Sequence, residues 1–165
     1  MDPEIKRLTE AYFYAILPAL DLLPDRMRSI EAERMLLAIG LQESRLHYRR
    51  QIGGPARGLW QFERGGGVAG VPRHTTTREL AEDICAARRV APMASAVYDR
   101  LEHDDVLAAA FARLLLWTDP YPLPTTEPDG WSLYMRTWRP GKPHIRTWPG
   151  VWTAADRFLR SEREP

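Results

Sequence analysis

The sequence predicts a mainly α-helical chain, on three observations. Apolar residues recur at helical spacing in separate stretches: Leu36, Ile39 and Gly40 lead to Glu43, Leu107, Phe111, Leu114 and Leu115 share a face, and Trp131, Tyr134, Met135 and Trp138 keep the same period. Helix-capping residues, notably Ser29 and Asp104, stand where such stretches begin. A length of 165 residues, 44% hydrophobic and 27% charged, suits one ordered domain over residues 1–165 with a single core.

In chain order, Asp2, Pro3 and Glu4 read as an N-cap, a first-turn proline and an acidic first turn, opening a helix through about Leu17. Pro18 and Pro24 then punctuate the chain. Ser29 caps a second helix, with Glu31 and Glu33 near its positive end and Arg45, Arg49 and Arg50 in its last turn. Gly53, Gly54 and Pro55 mark a loop over Gln51 to Ala56, followed by a short helix from Gly58 to Phe62. Gly65, Gly66, Gly67 and Gly70 read as permissive backbone, without the Lys-Ser/Thr ending of a phosphate-binding loop.

Thr76 and Glu79 have capping-box spacing ahead of a helix to about Val90, and Pro92 opens another to about Leu101. Val106 to Trp117 is the strongest candidate for a central core helix. Asp119 to Asp129 holds four prolines and reads as a loop. The aromatic stripe Trp131, Tyr134, Met135 and Trp138 follows and admits two uses, core packing or a platform for sugar faces. Arg139 to Pro143 is a turn, a last helix runs to about Arg160, and Ser161 to Pro165 fray.

Glu43 is the residue that points to chemistry. It shares the stripe of Leu36, Ile39 and Gly40, so it faces where core residues face. A carboxyl removed from water loses solvation of its charged form and keeps its proton to higher pH. A proton donor at neutral pH is what scission of a glycosidic bond requires. The alternative is an ion pair with Arg45, Arg49, Arg50 or Arg57, all near in sequence.

Glu43-Ser44, a loop of about a dozen residues and then Gly58-Leu59-Trp60-Gln61-Phe62 resemble the Glu-Ser and Gly-Leu-Met-Gln pair of the soluble lytic transglycosylases and goose-type lysozymes. The resemblance covers about a third of the chain and departs from the pattern at Trp60, where Met is usual, and at Arg57. It implies a lysozyme-like multi-helix domain with a glycan cleft and Glu43 as general acid/base. It also implies that Ser44 positions Glu43 and that Gly58, Leu59, Trp60 and Gln61 lie along the cleft. Tyr134, offering a ring and a hydroxyl, is a further candidate for binding sugar. Glu63 is the candidate second carboxylate, which would separate hydrolysis from transglycosylation; its alternative is a solvated partner of Arg64.

Other classes fit less well. A formal net charge of +1 argues against a dedicated nucleic-acid binder. The four histidines are scattered, Cys85 is alone, and no metal-binding or nucleophile-elbow motif is present, so neither a metal nor another cofactor is expected. No run reaches membrane-spanning length, and the start lacks a signal-peptide pattern. A wall-directed protein would then travel with a phage virion, a holin or a secretion system. The expectation is a peptidoglycan-cleaving glycosidase of phage or prophage type whose partners are peptidoglycan strands and virion or tail proteins. Its rivals are an inactive virion or wall-binding protein on the same fold, and a chitin-type glycanase.

Overall fold

A computed structural model describes residues 1–165 and is mainly helical, with no sheet. Helix α1 (Pro3–Ala11) starts where the Asp2 carboxylate accepts the Glu4 N–H at 2.7 Å. It continues without interruption through a π-helical segment, Tyr12–Ile16, into α2 (Leu17–Asp21). Pro18 therefore does not end the helix as expected. A proline inside an α-helix lacks a donor and collides with the carbonyl four residues back. The widened turn ahead of it, in which the Leu17 N–H reaches the Tyr12 carbonyl, accommodates the ring.

After a 3₁₀ turn at Asp25–Met27, the Ser29 hydroxyl accepts the Ala32 N–H at 3.1 Å and opens α3 (Ile30–Ser44). This helix is buried from Ala32 to Leu41, Glu33 and Arg34 included, so it is a core helix beside the Val106 to Trp117 stretch, the strongest candidate in the sequence. Both buried charges are answered by α9 (Trp148–Arg163): Arg163 pairs with Glu33 at 2.5 Å and Asp156 with Arg34 at 3.1 Å. That pairing holds the chain end, and Arg163 extends the last helix past the expected stop at Arg160.

The middle of the chain corrects several expectations. The glycine-rich segment expected as open backbone contains a short helix, α4 (Gly67–Arg73). Helix α5 (Arg78–Ala87) has no capping box, because the Thr76 hydroxyl turns to His74 Nδ1 at 2.7 Å. Thr77, buried at the N-cap, donates instead to the Val71 carbonyl at 2.5 Å. Helices α6 (Ala94–Leu101) and α7 (Asp105–Trp117) follow, the latter capped by Asp104, which accepts the Leu107 N–H at 3.0 Å. Helix α8 (Glu127–Trp138) begins inside the proline-rich stretch expected to be all loop, because Pro128 sits in its first turn, where no N–H is required. A 3₁₀ turn at Ile145–Thr147 leads into α9. One continuous cluster of 41 buried residues runs through α1–α3, α5–α9 and part of α4, so a single core supports the ends of α3 and α8.

Candidate active site

The last turn of α3 is closed tightly enough to fix Glu43. Arg45 (φ 56°) and Leu46 (φ 52°) both adopt left-handed backbone, and their N–H groups reach back to Leu41 O at 3.0 Å and Gly40 O at 3.2 Å. Leu46 then folds its side chain over Gly40, where any Cβ would overlap it. The indole of Trp60 packs beside Gly40, lies wholly in the core and donates Nε1–H to the Leu36 carbonyl at 2.9 Å.

Gly58 to Phe62 is accordingly not the short helix expected. It is a tight turn closed by reciprocal Arg57 and Phe62 backbone bonds of 2.9 Å each. Gly58 takes φ 79° with its α-carbon face against the Leu101 carbonyl, where an added Cβ would stand at 3.0 Å, and Gln61 takes φ 53°. Gly58, Leu59 and Trp60 are buried, so the expectation that they line a cleft is corrected. In this turn Leu59 and Trp60 insert beneath while Gln61 stays nearer the surface. Ser44 is likewise buried, donating to Leu59 O at 2.6 Å with Gly40 O, 3.2 Å away, beside it. It latches the turn to α3 and is not exposed to bind a ligand. Of this turn Gln61 and Phe62 reach the groove, the Gln61 amide nitrogen donating to Gly58 O at 2.9 Å.

Glu43 meets a phenol, not a guanidinium. Tyr134, 91 residues away on α8, donates its hydroxyl to Glu43 Oε1 at 2.5 Å. Its ring is buried and stacked on Trp148 with centroids 5.3 Å apart and planes 10° from parallel, so the hydroxyl has little freedom. The four arginines that could have clamped Glu43 are engaged elsewhere or exposed. Arg49 pairs with Asp105 at 2.7 Å and Arg50 with Glu102 at 2.9 Å, Arg57 donates to the Gly54 and Ala56 carbonyls, and Arg45 faces solvent. Burial pushes the Glu43 carboxyl up to about 7; the Tyr134 bond opposes this and the charge of Glu63 adds to it. Burial and the neighbouring Glu43 charge hold the Tyr134 phenol well above its usual range, so it remains a donor.

A groove of about 1040 Å³ opens beside this pair. Glu63 lines it, exposed and in no ion pair, so the expected alternative of a bond to Arg64 is not formed. Trp138 forms part of the wall, its ring 5.8 Å from that of Phe62 and its Nε1–H on the Trp60 carbonyl at 2.9 Å. The aromatic stripe of α8 thus divides: Trp131 and one face of Tyr134 pack on Trp148, while the Tyr134 hydroxyl edge and Trp138 reach the groove.

Sequence reasoning missed Gln42, Arg139, Lys142 and His144, which also line the groove. Lys142 carried a signal, being one of only two lysines, but nothing local placed it near Glu43. No three His, Cys, Asp or Glu side chains gather in a way that could hold a metal ion. Chemically, the arrangement is a carboxyl that retains its proton near neutrality, aimed by a fixed phenol at an open groove. No family model, no curated protein and no solved structure matches the chain.

Proposed function

We propose that the chain is a peptidoglycan-cleaving glycosidase of lysozyme-like type, a lytic transglycosylase or muramidase acting on the β-1,4 bond of the glycan strand, with Glu43 as general acid/base. The observation that carries this reading is Glu43 itself: a groove-lining carboxyl with a pKa near 7, oriented by Tyr134 and free of any arginine. At neutral pH about half of the molecules would hold the proton, the condition in which one residue serves both as acid and as base.

In the first step Glu43 gives its proton to the bridging oxygen as the bond from the sugar C1 to that oxygen breaks, leaving an oxocarbenium-like C1 and a Glu43 carboxylate. In the second step a hydroxyl adds to C1 and loses its proton to a carboxylate. If the nucleophile is the substrate's own C6 hydroxyl, Glu43 takes that proton and an anhydro end forms. If it is water, a reducing end forms, and Glu63 is the second carboxylate on the same groove. Delivery by a phage virion, or from a host cytoplasm as an endolysin, belongs to the same proposal.

Zymography on purified cell walls tests it. The parent should clear the gel, and Glu43→Gln, which keeps shape and hydrogen bonding, should lose at least about a hundred- to ten-thousand-fold in rate. Equal clearing by Glu43→Gln overturns the assignment. A parent that clears nothing yet is pulled down by walls is instead a binding protein on this fold.

A further inference from the structure

The groove holds free charge of both signs, Glu63 as an unpaired carboxylate and two cations gathered on one turn that the general acid does not need. Arg139 and Lys142 line it and pair with no carboxylate, whereas Arg136 beside them is neutralised by Asp119 at 2.8 Å. The unpaired cations sit on one short turn. Arg139 holds a left-handed backbone at φ 48°, and Pro140 and Pro143 bracket Lys142.

The far end of that turn is tied directly to the catalytic helix. Gln42, the residue before Glu43, donates its amide to the His144 carbonyl at 3.0 Å and accepts the Thr147 hydroxyl at 2.8 Å. His144 O, the carbonyl that Gln42 bonds, lies 2.9 Å from the same Thr147 hydroxyl. The amide of Gln42 therefore spends itself on fixing the cationic turn at a set place relative to Glu43. A solvated surface turn would require no such clamp.

We propose that Arg139 and Lys142 recognise a carboxylate carried by the saccharide bound in the groove, so that the protein selects acid-bearing strands over neutral N-acetylglucosamine polymers. The inference rests on the glycan-cleaving reading of the same groove and names the chemistry it selects. Two sources supply such a carboxylate in a wall strand: the stem peptide, and the free lactyl group left when the peptide is removed. The backbone that carries the two cations is braced by two prolines and clamped by Gln42, so binding orders the side chains alone, which limits the entropy lost. Being exposed, they contribute modestly, and salt screens them.

The test uses full-length Glu43→Gln protein, so that binding is read without cleavage, by the quenching of tryptophan fluorescence. Three probes are titrated: peptide-bearing strands, amidase-stripped strands with free lactyl carboxylates, and a neutral N-acetylglucosamine hexamer. Tighter binding of either acidic probe is expected, and which one wins identifies the source. Lys142→Gln and Arg139→Gln should each weaken acidic-probe binding about threefold and together about tenfold, with no change for the neutral hexamer. Salt near 1 M, where the screening length is about 3 Å, should abolish the preference. Lys6→Gln, on α1 away from the groove, should change nothing.

Equal binding of acidic and neutral probes overturns the carboxylate proposal while leaving glycan cleavage standing. An acid preference in a parent protein that cleaves none of the probes overturns the cleavage reading and leaves this one standing. No binding to any probe overturns it.

Discussion

Tyr134→Phe removes one oxygen and nothing else from the side chain that orients Glu43, and its effect has a definite sign. The phenol donates to Glu43 Oε1 at 2.5 Å and thereby favours the carboxylate over the acid. A hydrogen bond to a charged group contributes about 1.5–3 kcal/mol. Part of it survives when Glu43 is protonated, because the neutral carboxyl still accepts from the phenol, so the differential is about 1.4 kcal/mol, or about one pH unit. Losing it leaves burial and Glu63 unopposed, and the Glu43 pKa rises.

If Glu43 is the general acid, kcat/KM falls as pH climbs through its pKa, so the parent has an alkaline limb near 7. In Tyr134→Phe that limb should move up by about one pH unit. At about pH 8 the protonated fraction then rises from about a tenth to about a half, even if the plateau rate drops because the acid is less well aimed. The assay is wall turbidity across pH, each protein normalised to its own plateau. A limb that stays in place, or moves down, refutes the reasoning, because either result means the phenol does not set the titration that limits the rate.

Further outcomes follow from the same contacts. The native Glu43 carboxyl holds its proton up to about 7 against an ordinary value of 4.5, so the folded chain binds more protons than the unfolded one between those limits. Stability therefore falls as pH rises through that window, by up to roughly 3 kcal/mol, and Glu43→Gln should raise the Tm near pH 8 and not near pH 4. Ser44→Ala should cost about 1–2 kcal/mol in urea unfolding through the lost bond to Leu59 O, yet leave the pH profile in place; a displaced limb would restore the role the resemblance implied for it. Trp60→Ala should cost about 3–5 kcal/mol, as for a core aromatic, whereas a loss of wall affinity without loss of stability would return Trp60 to the groove. Gly58→Ala should destabilise by about 1 kcal/mol or more, read as a lowered Tm, from its φ of 79° and the Leu101 carbonyl.

What was legible in the sequence was local. Asp2, Ser29 and Asp104 cap the helices they precede because a cap bond spans only two or three residues, so its signal lies in the sequence itself. Glu43 stood out because a carboxylate on an apolar stripe is conspicuous at helical spacing. Tyr134 stood out only as a candidate for binding sugar and not as the partner of Glu43, since it lies 91 residues on and the stripe containing it also reads as core. Trp60 was misplaced for a related reason: once Gly58 and Gln61 enter left-handed backbone, helical spacing no longer says which side chain points inward. Pro18 misled because the π-helical segment that accommodates it carries no compositional mark. The Gln42 clamp, which joins residues 102 apart, is a tertiary contact that only the folded chain displays.

The most direct test of Glu43 as a sugar-cleaving acid is mass spectrometry of purified wall strands after incubation with the parent and with Glu43→Gln. The parent should yield fragments cut between sugars, ending in either an anhydro residue or a reducing residue one water heavier, and the variant should leave the strands whole. Strands left whole by both proteins, or the same fragments from both, would contradict that role.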